Sequence, residues 1–153
     1  MARSQHMAIY DVASEECRII ELAGSYGSKN PIMYDSRLWI VNYDHFCRVD
    51  LETFEVSSSS RLQPEILNKE VGRRGSAFVG VPLLSIALNG WLIPRPYSSD
   101  ILLIDFDSLE PTGRIRCGGR PHALAEFDDG TLFIINHPFD SFQQASITDL
   151  EAL

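Results

Sequence analysis

A chain of 153 residues, 44% hydrophobic and 22% charged, can bury a real core and is expected to form a single domain over 1–153. Its formal net charge of −8 lacks the basic footprint that phosphate binding needs, which argues against a nucleic-acid partner. No apolar run is long enough to span a bilayer and Met1–Met7 leads into no apolar core, so neither a membrane partner nor a secretory signal is expected.

The first element is the phrase Ile9-Tyr10-Asp11-Val12, with Ser14 three residues and Glu16 five residues after the Asp. A strand over Arg18–Leu22 follows. Pro31–Tyr34, the turn Asp35-Ser36 and Leu38–Asn42 lead to a second copy, Arg48-Val49-Asp50-Leu51, with Thr53 and Glu55 in the same places. A strand over Glu55–Ser58 comes next. The stretch 61–80 reads as an insertion, in which Gln63–Val71 can hold a turn or two of helix after Pro64. Leu84–Leu88, Asn89-Gly90 and Trp91–Pro94 then precede a third copy, Leu103-Ile104-Asp105-Phe106, with Ser108 and Glu110, and a strand over Gly113–Cys117. Ala123–Phe127, Asp128-Asp129-Gly130 and Leu132–Asn136 precede the fourth copy, Ile147-Thr148-Asp149-Leu150.

Each segment is rich in the β-branched and aromatic residues that suit a pleated surface, and Asn-Gly or Asp-Gly can supply the positive φ of tight hairpins. Each phrase Asp and its hydroxyl can accept from backbone N–H groups of the turn, which favours capping over a metal-ligand role for Asp11, Asp50, Asp105 and Asp149. The Asp-to-Asp steps are 39, 55 and 44 residues, close to one propeller blade. The predicted fold is therefore all-β: β-propeller-type repeats of four-stranded antiparallel blades A to D in an incomplete ring of about three to three and a half blades. A β-sandwich is the alternative. A chain with this blade count is expected to be a fragment of a longer propeller. Its two open blade faces, with Trp39, Ile93 and Phe133, are expected to drive homo-oligomer formation, although the two Trp residues also suit packing between blades.

The stretch Thr112–Asn136, with Gly118-Gly119-Arg120-Pro121-His122, Asp129-Gly130 and Leu132-Phe133-Ile134-Ile135-Asn136, resembles the repeat of the YVTN-type β-propellers. Asp35–Thr53 is similar to the B and C strands of the same superfamily. The middle unit departs from it: Pro94-Arg95-Pro96 stands where an Asn is expected. The resemblance implies a propeller and leaves function open, because that superfamily holds scaffolds, cofactor-binding dehydrogenases and the streptogramin-type lyases.

Strand order brings the D–A and B–C loops to one rim, where a protein or small-molecule partner is expected. The candidate residues there are Tyr43, Asp44, His45, Arg95, Tyr97, Arg120, His122, His137 and Asp140. The first reading is a non-catalytic binding module without cofactor or metal. The alternative is an enzyme in which His122, with His137 nearby, is the general acid or base; the resemblance to the lyases implies this, since they carry Pro-His at the start of an innermost strand. Cys17, Cys47 and Cys117 form no CxxC pair and are expected to be reduced, mostly buried thiols in the cytoplasm.

Overall fold

The computed structural model describes residues 5–23, 28–42, 45–60, 62, 79–136 and 141–153. Among them the fold is all-β, in separate small antiparallel sheets, and the chain divides into two compact units, Met1–Leu62 and Gln63–Leu153. The helical turn expected at Gln63–Val71 lies outside the described residues, as does most of the insertion. No helix among the described residues is long and apolar enough to cross a membrane.

The first unit pairs β1 (Gln5–Asp11) with β2 (Glu16–Leu22) and builds a four-stranded sheet in the order β3 (Ser28–Tyr34), β4 (Arg37–Asn42), β5 (His45–Asp50), β6 (Val56–Ser58). In the second unit β7 (Leu83–Ser85), β8 (Gly90–Arg95), β9 (Asp100–Asp105) and β10 (Pro111–Arg116) form the next sheet. The last sheet is β11 (Pro121–Glu126), β12 (Thr131–Asn136) and β13 (Phe142–Ser146). The segment expected as Leu84–Leu88 stops at Ser85, because Ile86–Asn89 forms a turn closed by the Asn89 N–H on the Ile86 carbonyl at 3.2 Å.

The sheets repeat one turn. Asp50 Oδ1 accepts from the N–H groups of Glu52 and Thr53, both at 2.9 Å, and Asp105 Oδ1 from those of Asp107 (3.2 Å) and Ser108 (2.8 Å). Asp11 holds the Ala13 N–H at 2.8 Å and the Ser14 hydroxyl at 2.9 Å. The fourth residue after each Asp takes a positive φ: Glu15, Phe54 and Leu109 at 57°, 62° and 61°. A latch then ties this turn to the preceding A–B turn, with Leu51 N–H on Ser36 and Phe106 N–H on Asn89, both at 3.3 Å.

The same latch corrects the fourth copy. Ile147 N–H binds the Gly130 carbonyl at 2.9 Å, so Ser146, and not Asp149, is the residue in the place of Asp50 and Asp105. Ile147–Asp149 is a 3-10 turn rather than a strand. Ser146 Oγ accepts from Thr148 N at 3.2 Å, while Asp149 reaches back to accept from Ser146 N at 2.8 Å, a capping box. Strand C of this sheet is thus β13, upstream of the phrase. The chain then forms β14 (Glu151–Ala152) on the outer edge of β10, an element with no counterpart in the predicted repeat.

In both units the sheets stack through equivalent positions. Met7, Ile9 and Ile20 face Leu38, Ile40, Cys47 and Val49 in the first unit. Leu92, Ile101 and Leu103 face Leu132, Ile134 and Ala145 in the second. Counted from the turns, Met7 and Ile9 match Ile101 and Leu103, Leu38 and Ile40 match Leu132 and Ile134, and Val49 matches Ala145. β8 and β9 are buried on both faces and read as near-continuous apolar runs. Trp39 and Ile93 are fully buried within the single chain. They cannot drive association, which corrects that expectation; of the three residues named for it, only Phe133 lies on a face that is partly open.

The turn carboxylates carry an acid dependence. Asp11, Asp50 and Asp105 are held below the usual carboxylate range, chiefly by the backbone donors of Ala13, Thr53 and Ser108 respectively. A lowered folded-state pKa stabilises above the unfolded value of about 3.9, and that contribution is lost as pH falls through the folded value. Thermal melts are therefore expected to hold steady from neutral pH to just above the ordinary Asp range and to fall below it. The doubly substituted Asp50→Asn, Asp105→Asn protein will show a shallower fall; an unchanged acid slope in that variant would refute the assignment.

Candidate functional site

In the second unit two loops meet at one end of the strands. The β8–β9 loop, Pro96 to Ser99, is a four-residue hairpin connection closed by the Ser98 N–H on the Arg95 carbonyl at 3.1 Å. The β10–β11 loop runs from Cys117 to Arg120, and its Cys117 N–H binds the Ser99 carbonyl at 2.8 Å. That bond places Arg120 beside Tyr97, the guanidinium lying 5.9 Å from the ring centroid, a cation–π contact. Arg120 is exposed and makes no ion pair among the described residues. Tyr97 and Arg120 are thus two predicted rim residues brought into contact.

Arg95 has a different place. It is the cross-strand partner of Asp100 at the base of the hairpin, and the pair is bidentate, with Nε to Oδ1 at 2.7 Å. The two side chains are 14% and 7% exposed, so the guanidinium is committed to a buried ion pair and not presented to a ligand. Register places Arg95 at the position of Asn42 in β4 and Asn136 in β12. The departure in the middle unit is therefore a change of hairpin clamp: Asn136 binds Ser141 through its backbone N–H at 3.1 Å and its Nδ2 at 3.2 Å, while Arg95 binds a carboxylate. Pro94 is tolerated because β7 has ended; its carbonyl accepts from the Gly80 N–H at 2.8 Å. Asp100 was not among the predicted site residues, although a basic and an acidic residue flanking a Pro-Tyr-Ser-Ser turn is a readable signal.

His122 is the extra residue of a β-bulge in β11, between the pairs Pro121–Asn136 and Ala123–Ile135. Its carbonyl accepts from the Val81 N–H at 2.8 Å, and its side chain is half-buried. His45 opens β5 in the other unit, half-buried opposite Asn42. Tyr43, Asp44, His137 and Asp140 lie outside the described residues, so the expected His122–His137 pair does too.

No protein-family model and no curated protein sequence matches the chain.

Beneath the rim, burial and the nearby Asp100 carboxylate push the Cys117 thiol up to about 11, which keeps it protonated and unreactive near neutral pH. Cys47 is buried as expected, whereas Cys17 is exposed on β2, which corrects the picture of three mostly buried thiols; none of the three is in a disulfide. Asp11, Asp50 and Asp105 each serve their own turn, and no three potential metal-ligating side chains cluster among the described residues.

Proposed function

We propose that the chain is a β-propeller-type repeat module that binds a protein or small-molecule partner, without catalysis, at the rim carrying Tyr97 and Arg120. The observation that carries this reading is the exposed guanidinium lying over the Tyr97 ring, on two loops joined by the Cys117–Ser99 hydrogen bond and braced by the buried Arg95–Asp100 pair. A planar cation held over an aromatic ring recognises a carboxylate or phosphate group while the ring covers an apolar neighbour. The repeat part of the reading is supported by the recurring turn and latch and by the equivalent stacking positions in both units. Three free cysteines fit a reducing compartment, and a cytoplasmic location belongs to the same proposal.

The test is a nuclear magnetic resonance screen of the labelled protein against a library of small aromatic carboxylates. Perturbed amides are expected at Ser98, Ser99 and Gly118 to Arg120, and Arg120→Ala is expected to abolish them with an unchanged melting temperature. Binding that maps elsewhere, or that survives Arg120→Ala, would refute the rim.

A further inference from the structure

By strand register, an exposed front face lies on the sheet β11–β13 and an exposed back face on the pair β1–β2. β12 and β13 turn Phe133 and Phe142 away from the core of their unit; the rings stack at 5.3 Å between centroids, and Phe142 is 64% exposed. By register Phe133 stands where Leu92 stands and Phe142 where Ile101 stands. Those two residues of the preceding sheet are, with Leu103, buried under the next sheet. The strands place no charged side chain on this face. At the other terminus, β1 and β2 turn Ala8, Tyr10 and Ile19 outward, with Tyr10 58% and Ile19 71% exposed. Ala8 and Tyr10 stand where Cys47 and Val49 stand, and those residues form the back face that receives a preceding sheet in the first unit.

We propose that the Phe133–Phe142 face is covered by the Ala8–Tyr10–Ile19 face of a second copy, so that copies associate head to tail. The occupant follows from the repeat: a front face built at the Leu92 and Ile101 positions is met, inside this chain, by a back face built at the Cys47 and Val49 positions or their equivalents. Uncharged aromatic surface also leaves the front face no means of selecting a charged partner. The contact is heterologous, joining two different surfaces, so it continues into a ring or a short chain of copies rather than stopping at a symmetric dimer. One three-stranded face against one two-stranded face is a small contact surface, so the association is expected to be weak and concentration-dependent. The proposal rests on the repeat register and not on the rim; Arg120→Ala is expected to leave association untouched, so the two readings fail separately.

Sedimentation equilibrium from micromolar to submillimolar concentration tests it with Phe142→Glu, which disables the front face, and Ile19→Glu, which disables the back face. The unaltered chain is expected to rise above its monomer mass with concentration, and each variant alone to stay monomeric. An equimolar mixture of the two is expected to form a one-to-one dimer, because each retains the face the other lacks. Both sites are solvent-exposed, and a cooperative melt confirms folding; Gln144→Glu and Tyr10→Glu replace any variant that does not fold. A monomeric unaltered chain at every concentration would overturn the proposal. So would association of Ile19→Glu with itself, which would mean that front faces pair with each other.

Discussion

Replacing Arg95 with alanine is expected to destabilise the unit Gln63–Leu153 by about 3–5 kcal/mol, the range for stranding a buried charge. Asp100 is 5% exposed and its carboxylate holds the Arg95 guanidinium in two hydrogen bonds. Without the guanidinium, the carboxylate stays buried at the base of the hairpin with its main counter-charge removed. The double variant Arg95→Ala, Asp100→Asn is expected to recover a large part of the loss, because a neutral amide is cheaper to bury than a carboxylate. Urea denaturation of the single and double variants measures this. A single-variant loss under about 0.5 kcal/mol would mean that the pair is solvated and worth no more than a surface ion pair.

Gly80→Ala is the second large effect. A Cβ at that position would lie 2.0 Å from the His122 carbonyl oxygen and 2.9 Å from its Cα, a backbone that cannot give way as a flexible side chain can. The same glycine donates to the Pro94 carbonyl at 2.8 Å, and the next residue, Val81, donates to His122 at 2.8 Å. Relieving the clash pulls the segment away from β8 and β11 together. Overpacking against a rigid neighbour and the loss of two hydrogen bonds together set a cost of about 3 kcal/mol. Hydrogen exchange at the Gly80 and Val81 amides is expected to accelerate in step with the loss. An alanine variant as stable and as protected as the parent would show that this segment is not seated on the bulge at His122.

The strands themselves were readable because alternation and turn chemistry agree: the Leu38–Asn42, Trp91–Pro94 and Leu132–Asn136 segments all appear within a residue or two of their expected bounds. The errors came where one residue type can do another's work. Ser146 caps its turn as Asp50 and Asp105 do, and the nearby Asp149 drew the register three residues too far. Asn89-Gly90 reads as a source of the positive φ that a tight hairpin requires. Only Asn89 takes it; Gly90 is needed because a Cβ would meet the Ile104 carbonyl at 2.5 Å. The left-handed residues after each Asp were invisible because Glu, Phe and Leu give no local sign of that conformation. The grouping of Tyr97 and Arg120 at one end of the strands followed from strand order, but their contact did not. The commitment of Arg95 to Asp100 did not, since it depends on which cross-strand positions close the hairpin.

Strand β14 has a consequence in time. Its pairs, Gly113 with Ala152 and Arg114 with Glu151, close a loop that holds all three strands of the last sheet. Two residues gain little for closing so long a loop, even with Glu151 bridging Arg114 and Arg116. Docking of β14 is therefore expected late in folding, after the barrier, and its release early in unfolding. Substitutions in Glu151–Ala152 are expected to speed unfolding and leave the refolding rate untouched, which stopped-flow kinetics checks.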